Sequence, residues 1–189
     1  QHGSLFPVDG PRTTSDMFVH PALNFDGTDD LLWLPDMDLG EAFTISFFFR
    51  SDPNFDATYA YLWSHGTYSY RNSINIYLRP NGSLSTAVRG SEEDWVYGLL
   101  EYETSVMDGN WHHYALTIDS LIPKSSVYID GQLVGFSSIA TGGVNPGHHI
   151  HIGGRSDLDP ERHFGGDLSD IRIHSVALNA QEVLALSQN

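Results

Sequence analysis

Residues 42–50 read Ala-Phe-Thr-Ile-Ser-Phe-Phe-Phe-Arg, and no other run constrains the fold as tightly. A strand turns successive side chains to opposite faces. Phe43, Ile45, Phe47 and Phe49 therefore share one face, and Thr44, Ser46 and Phe48 the other. Four large apolar groups on one side demand a core to bury them. Phe48 on the second face requires that this side be partly covered too, which predicts a central strand.

Further short strands are expected at 31–34, 59–64, 73–79, 83–88, 111–119, 125–130, 132–136, 148–153 and 167–174. Two tight turns are explicit between them. Asn81-Gly82 and Asp130-Gly131 accept the positive φ angles of a hairpin turn and so join neighbouring runs. Helical signal appears once, where Asn179 stands as an N-cap with Glu182 three residues on, followed by Val183, Leu184 and Leu186. Even spacing of short strands predicts an all-β, two-sheet antiparallel sandwich with one short C-terminal helix. Residues 1–20 lack periodicity and read as an irregular lead-in; residues 21–189 read as one domain.

Charge narrows the partners. The chain of 189 residues has 24 acidic against 9 basic residues and a formal charge of −15. Such a surface repels phosphate, so nucleic acid and anionic membranes are excluded as expected partners. No apolar run reaches the length needed to span a bilayer, so membrane insertion is not expected either. With no cysteine, thiol nucleophiles, disulfides and thiolate metal sites are excluded. Of the acids 17 are Asp, the short carboxylate used both in turns and around Ca²⁺.

Five segments in series carry a resemblance: ALNFDGTDDLLWLP, AFTISFFFR, DGNWHHYALTIDSLIPKSSVYIDGQLVG, HIHIGGR and FGGDLSDIRIHSVALNAQEV. Over about residues 22–187 the chain resembles the laminin-G-like jelly rolls of the concanavalin A-like lectin/glucanase superfamily, most closely their bacterial branch. Animal laminin-type members usually carry a disulfide near the C-terminus, which this chain lacks. The resemblance implies a jelly-roll sandwich and an exported protein, extracellular or at a bacterial cell surface. It says little of the ligand, because the superfamily holds lectins, adhesin modules, pentraxins, glycosidases and lyases.

The resemblance also implies a structural Ca²⁺ tying the first strand to the last, and the matching positions here are Asp26, Asp29 and Asp170. A turn explains Asp26 equally well, and an ion pair with Arg172 or Arg155 explains Asp170. For a ligand, the loop at 91–97 is the candidate. Trp95 and Tyr97 offer rings for the C–H faces of a sugar, Asp94 and Arg89 offer polar groups, and His65 stands beside an aromatic-lined strand end. His148, His149 and His151 lie close in sequence but need a further ligand to hold zinc, and no acid motif supports them.

Catalysis is not expected. Glucanase relatives place paired carboxylates alternately on one strand, whereas Glu92-Glu93-Asp94 are consecutive and diverge. Tyr114, His112, Arg79 and Tyr77 supply the residue types of a lyase site, at a spacing that matches no lyase motif. The expectation is a non-catalytic, calcium-stabilised module that binds a glycan or cell-surface polysaccharide. It would belong to an adhesin or to a polysaccharide-degrading enzyme. The alternative is a protein-binding or spacer domain.

Overall fold

A computed structural model describes residues 4–6, 12–14, 21–54, 58–66, 73–89, 97–122, 124–138 and 149–188. With strands numbered in chain order, two seven-stranded sheets face one another. The first runs β1 (Ser4–Phe6), β4 (Leu31–Leu34), β13 (Ile150–Ile152), β6 (Ala60–His65), β7 (Ile74–Leu78), β8 (Leu84–Arg89) and β9 (Tyr97–Tyr102). The second runs β12 (Gln132–Ser137), β11 (Lys124–Ile129), β10 (His112–Asp119), β5 (Ala42–Ser51), β14 (Gly165–His174), β3 (Ala22–Asp26) and β2 (Arg12–Thr14). Every pairing is antiparallel. This is the jelly-roll sandwich that the strand pattern and the resemblance predict.

β5 lies between β10 and β14, as its two apolar faces require. Phe43, Ile45, Phe47 and Phe49 are buried between the sheets with Trp63, Ile76, Leu84, Leu116 and Val127. Phe47 stacks on Tyr114 at 5.0 Å between ring centres. The Tyr114 hydroxyl would be a costly orphan at that depth, but it meets the Thr86 hydroxyl of the opposite sheet at 2.8 Å. Each such residue on a strand sends its neighbours to the outside, and those outward faces decide what the molecule can bind.

The lead-in is not wholly irregular. Ser4–Phe6 pairs with β4 and Arg12–Thr14 with β3, giving one edge strand to each sheet. β9 was also unforeseen: its residues follow a polar loop and show no clean alternation. The helix α1 (Ala180–Leu186) forms where expected. Asn179 accepts from the Gln181 and Glu182 amides, and Glu182 accepts from the Asn179 amide.

Candidate functional site

The outward face of β6, β7 and β8 carries the site. Ile74, Ile76 and Leu78 of β7 point into the core, so Asn75 and Tyr77 point out. The same parity sends Ser85, Ala87 and Arg89 of β8 outward, and a bulge after Tyr61 keeps that ring on the outer face beside Tyr77. Tyr61 and Tyr77 stack at 5.0 Å with 23° between their planes, and Tyr59 meets Tyr77 edge-on at 5.7 Å. A cavity of about 170 Å³ opens over them, lined by Tyr59, Tyr61, Asn75, Tyr77, Arg79, Ala87, Arg89, Arg155 and Arg162.

The last two arginines arrive from far along the chain. After β13, Gly153 turns with φ of 88°, and Phe25 packs so close that a Cβ there would stand 2.3 Å from its ring. This turn sends residues 155–162 across β6, where the Ser156 amide donates to Ser64 Oγ. Arg155 lies 5.7 Å from the Tyr61 ring centre and Arg162 4.8 Å from that of Tyr59. Carboxylates brace the arginines from behind. Arg79 pairs with Glu101, Arg155 donates to Asp157 (2.7 and 2.6 Å) and Asp159 (3.0 Å), and Arg162 Nε reaches Asp159 at 3.4 Å. Burial opposes charge on Arg155, but hydrogen bonds to Asp157 and Tyr61 outweigh it and hold the guanidinium firmly protonated. Burial likewise pushes the Tyr77 phenol up from its ordinary value, so it stays a neutral hydroxyl.

Of the expected ligand residues, Arg89 lines this cavity. Tyr97 lies on β9 opposite Arg89 in the register, and Asp94 and Trp95 fall outside the described residues. His65 does not reach a rim. It ends β6 with no exposed surface, because its parity on the strand turns it inward. The four residues that supply the types of a lyase site do not assemble: Tyr114 is buried in the core and His112 belongs to the other sheet. Tyr59, Tyr61, Arg155 and Arg162 were missed. Tyr61 shares its sequence parity with the inward Trp63 and faces out only through the bulge between them, and only the long-range β13–β6 pairing brings the arginines there.

The acids divide differently from expectation. Asp26, Asp29 and Asp30 gather where β3 turns into β4, with a carboxylate oxygen of each within 4.8 Å of the others. Asp26 Oδ1 accepts from the Thr28 amide at 2.7 Å, the turn role open to it, and Asp30 Oδ2 accepts from the Asp26 amide at 2.9 Å. Asp170 does not join them. Asp26 registers with Gly165 of β14, so Asp170 lies five residues along, on the order of 15 Å away. It adopts φ of 50° at a break in the β14 register and accepts from Arg172 at 2.7 Å. Beside Asp26 a wider hollow of about 410 Å³ contains Arg50 and Asp167. Asp167 is already held there by Arg50 (3.0 and 2.8 Å) and Asn24 (2.9 Å). It has little left to offer a ligand.

A sandwich of this topology with a recess on one sheet defines a class of fold, and the comparisons agree. The chain belongs to the laminin-G-like family of the concanavalin A-like lectin/glucanases superfamily, whose profile matches residues 26–184. It is 32% identical over 92 residues to a mouse protein, the sushi, von Willebrand factor type A, EGF and pentraxin domain-containing protein 1. That match covers 45% of this chain and 3% of the mouse protein. The fold is similar to that of a heptameric SAP-like pentraxin from Limulus polyphemus (TM-score 0.67, 17% identity, 88% of this chain and 81% of that one). It is also similar to the binding domain of Paraclostridial Mosquitocidal Protein 1 (TM-score 0.75, 16% identity, 98% and 47%). The binding domain of botulinum neurotoxin serotype G is a further neighbour (TM-score 0.70, 15% identity, 98% and 46%). The chain thus spans a small fraction of the mouse relative and about half of each toxin binding domain. These neighbours include binding domains, and the likeness is one of fold.

Proposed function

We propose that this chain is a non-catalytic glycan-binding module of an exported bacterial protein, an adhesin or a polysaccharide-degrading enzyme, and that the tyrosine-lined recess is its site. The observation that carries the reading is the Tyr59–Tyr61–Tyr77 cluster, which borders a cavity also lined by Asn75 and arginines. A sugar presents C–H faces that rest on such rings and hydroxyls that need donors and acceptors beside them. The cavity is smaller than the roughly 300–1,000 Å³ of drug-sized sites, and so suits one ring of a longer glycan. Fold neighbours support the same reading: cell entry of botulinum neurotoxin type C is dependent upon interaction with two ganglioside molecules. A glycan array tests the reading. Tyr77→Ala should lose the wild-type signal while melting within a few degrees of it; a folded variant with an unchanged array profile removes the recess from consideration.

Calcium enters the same proposal at Asp26, Asp29 and Asp30. Ca²⁺ takes six to eight oxygens, of which these carboxylates supply a part, with backbone carbonyls and water left to complete the shell. An ion binding only the folded chain would stabilise it by mass action. Addition of 1 mM-scale CaCl₂ to chelator-treated protein should therefore raise its melting temperature by about 5 °C or more in the wild type, and much less in Asp29→Asn. A melting temperature indifferent to calcium would remove the metal from the proposal. A protein ligand is the second reading, favoured by Leu133 and Phe136, which leave 52% and 65% of their surface exposed on β12.

A further inference from the structure

We infer that the recess on the first sheet takes a sugar ring bearing a carboxylate, as a single residue or a chain end, with Arg162 an anchor for the acid group. This rests on the glycan-binding reading and adds the charge class of the ligand. Four of the nine basic residues of a chain of charge −15 converge on this cavity, and among the described residues no Asp or Glu lines it. Among the described residues, the carboxylates that pair with Arg79, Arg155 and Arg162 lie outside the lining, so Glu101, Asp157 and Asp159 orient those guanidinium groups without filling the cavity.

Arg162 supplies the sharpest observation. Its Nε makes one long contact to Asp159, and its Nη1 is buried with no hydrogen-bond partner. A buried donor on a charged group costs free energy until something accepts from it. A carboxylate does so best, because its two oxygens match the guanidinium fork. The surrounding tyrosine rings ask in addition for an apolar face, which a bare inorganic anion lacks and a pyranose ring has. Overall charge sets the scale of the ligand. At physiological salt charges more than about 8 Å apart are largely screened, so the distant acidic surface barely affects one acid group inside the recess but opposes a long polyanion that runs over it.

Titration calorimetry with four probes tests this: trigalacturonic acid, its methyl ester, 3′-sialyllactose and lactose. At least one acid should bind about tenfold or more tighter than its neutral counterpart, the ester or lactose, since a hydrogen bond to a charged group is worth that much. Whichever acid shows the ratio identifies its source as a uronate or a sialic acid. Arg162→Gln, checked for an unchanged melting temperature, should bring the ratio near one; Arg172→Gln on the other sheet should leave it intact. Equal binding of acids and neutral forms by the wild type, or a ratio that survives Arg162→Gln, overturns the inference. If neutral sugars bind in the recess with no preference for acid, glycan binding stands and only the charge class falls. If no sugar binds here and the array is silent, both fall.

Discussion

The outward faces of the two sheets have opposite fates. On the second sheet the chain covers its own back. Thr44, Ser46, Thr117 and Ser126 point outward there yet are all buried, and the C-terminal segment lies over Thr44. Thr44 Oγ1 donates to the Val176 carbonyl and accepts from the Leu178 amide. Val183 of α1 then closes on Ala115 and Tyr128. On the first sheet the corresponding positions hold Tyr61, Asn75, Tyr77 and Arg89, and they border a cavity instead of a helix. Small hydroxyl and alanine side chains let the C-terminal segment approach closely, whereas on the first sheet residues 155–162 cross beside large rings and guanidinium groups and leave a recess between them. The face that the chain buries and the face that leaves a recess thus differ first in side-chain size and charge.

The largest effect that sharpens this contrast comes from the covered face. Val183 has no exposed surface, and α1 is only seven residues long. So short a helix has little stability of its own and persists through the side chains it buries. Val183→Ala should cost about 2 kcal/mol, or roughly 4–8 °C in melting temperature for a domain of this size. Glycan binding at the recess should be unchanged, because the helix lies behind the opposite sheet. A variant that loses ligand affinity in step with stability would show that the two faces are coupled, and the contrast would fail.

Much of this was legible in the residues before any geometry. Alternation placed β5 centrally and assigned its faces, Phe48 announced the covered back, and Asn179 with Glu182 marked the start of α1. These are local signals, read within one element. The edge strands β1 and β2 were not legible, since three-residue pairings carry no periodicity and exist only through their partners. The recess was half legible. The run Ile74–Arg79 shows Tyr77 and Arg79 sharing the polar parity, but Arg155 and Arg162 reach them through a turn that depends on β13 pairing with β6. Asp170 misled for a related reason. The resemblance matched it to a calcium position shared with Asp26, and the antiparallel register with β3 carries it to the far end of the ladder instead.

The smallest effect concerns protons, and again separates the two sheets. At the start of β10, His112 Nδ1 lies 2.9 Å from Asp130 Oδ2, and its Nε2 lies 3.3 Å from Asp108 Oδ1. The hydrogen bond to Asp130 leads in raising the His112 pKa above its ordinary 6.5, against the opposing effect of burial. A raised folded value means that its contribution to stability is full below pH 6.5 and is lost as pH climbs through that raised value. Its acid partners set the lower limit: Asp130 and Asp108 both titrate below their ordinary 3.8, so their part is lost only as pH falls through those lowered values. The neighbouring His113 works the other way. Burial lowers it to about 4, so its contribution declines as pH drops below 6.5. Comparison of wild type with His112→Gln cancels the His113 contribution and isolates the first. The wild-type advantage should be greatest between about pH 4.5 and 6, amount to under about 1 kcal/mol or some 1–3 °C because the group is partly exposed, and shrink towards pH 8. An advantage that stays flat from pH 5 to 8 would deny His112 its charge. The recess across the sandwich should register none of this: affinity for a sugar measured at pH 5.5 should be the same in both proteins, since His112 and its acid partners belong to the second sheet and its turns and none of them lines the recess.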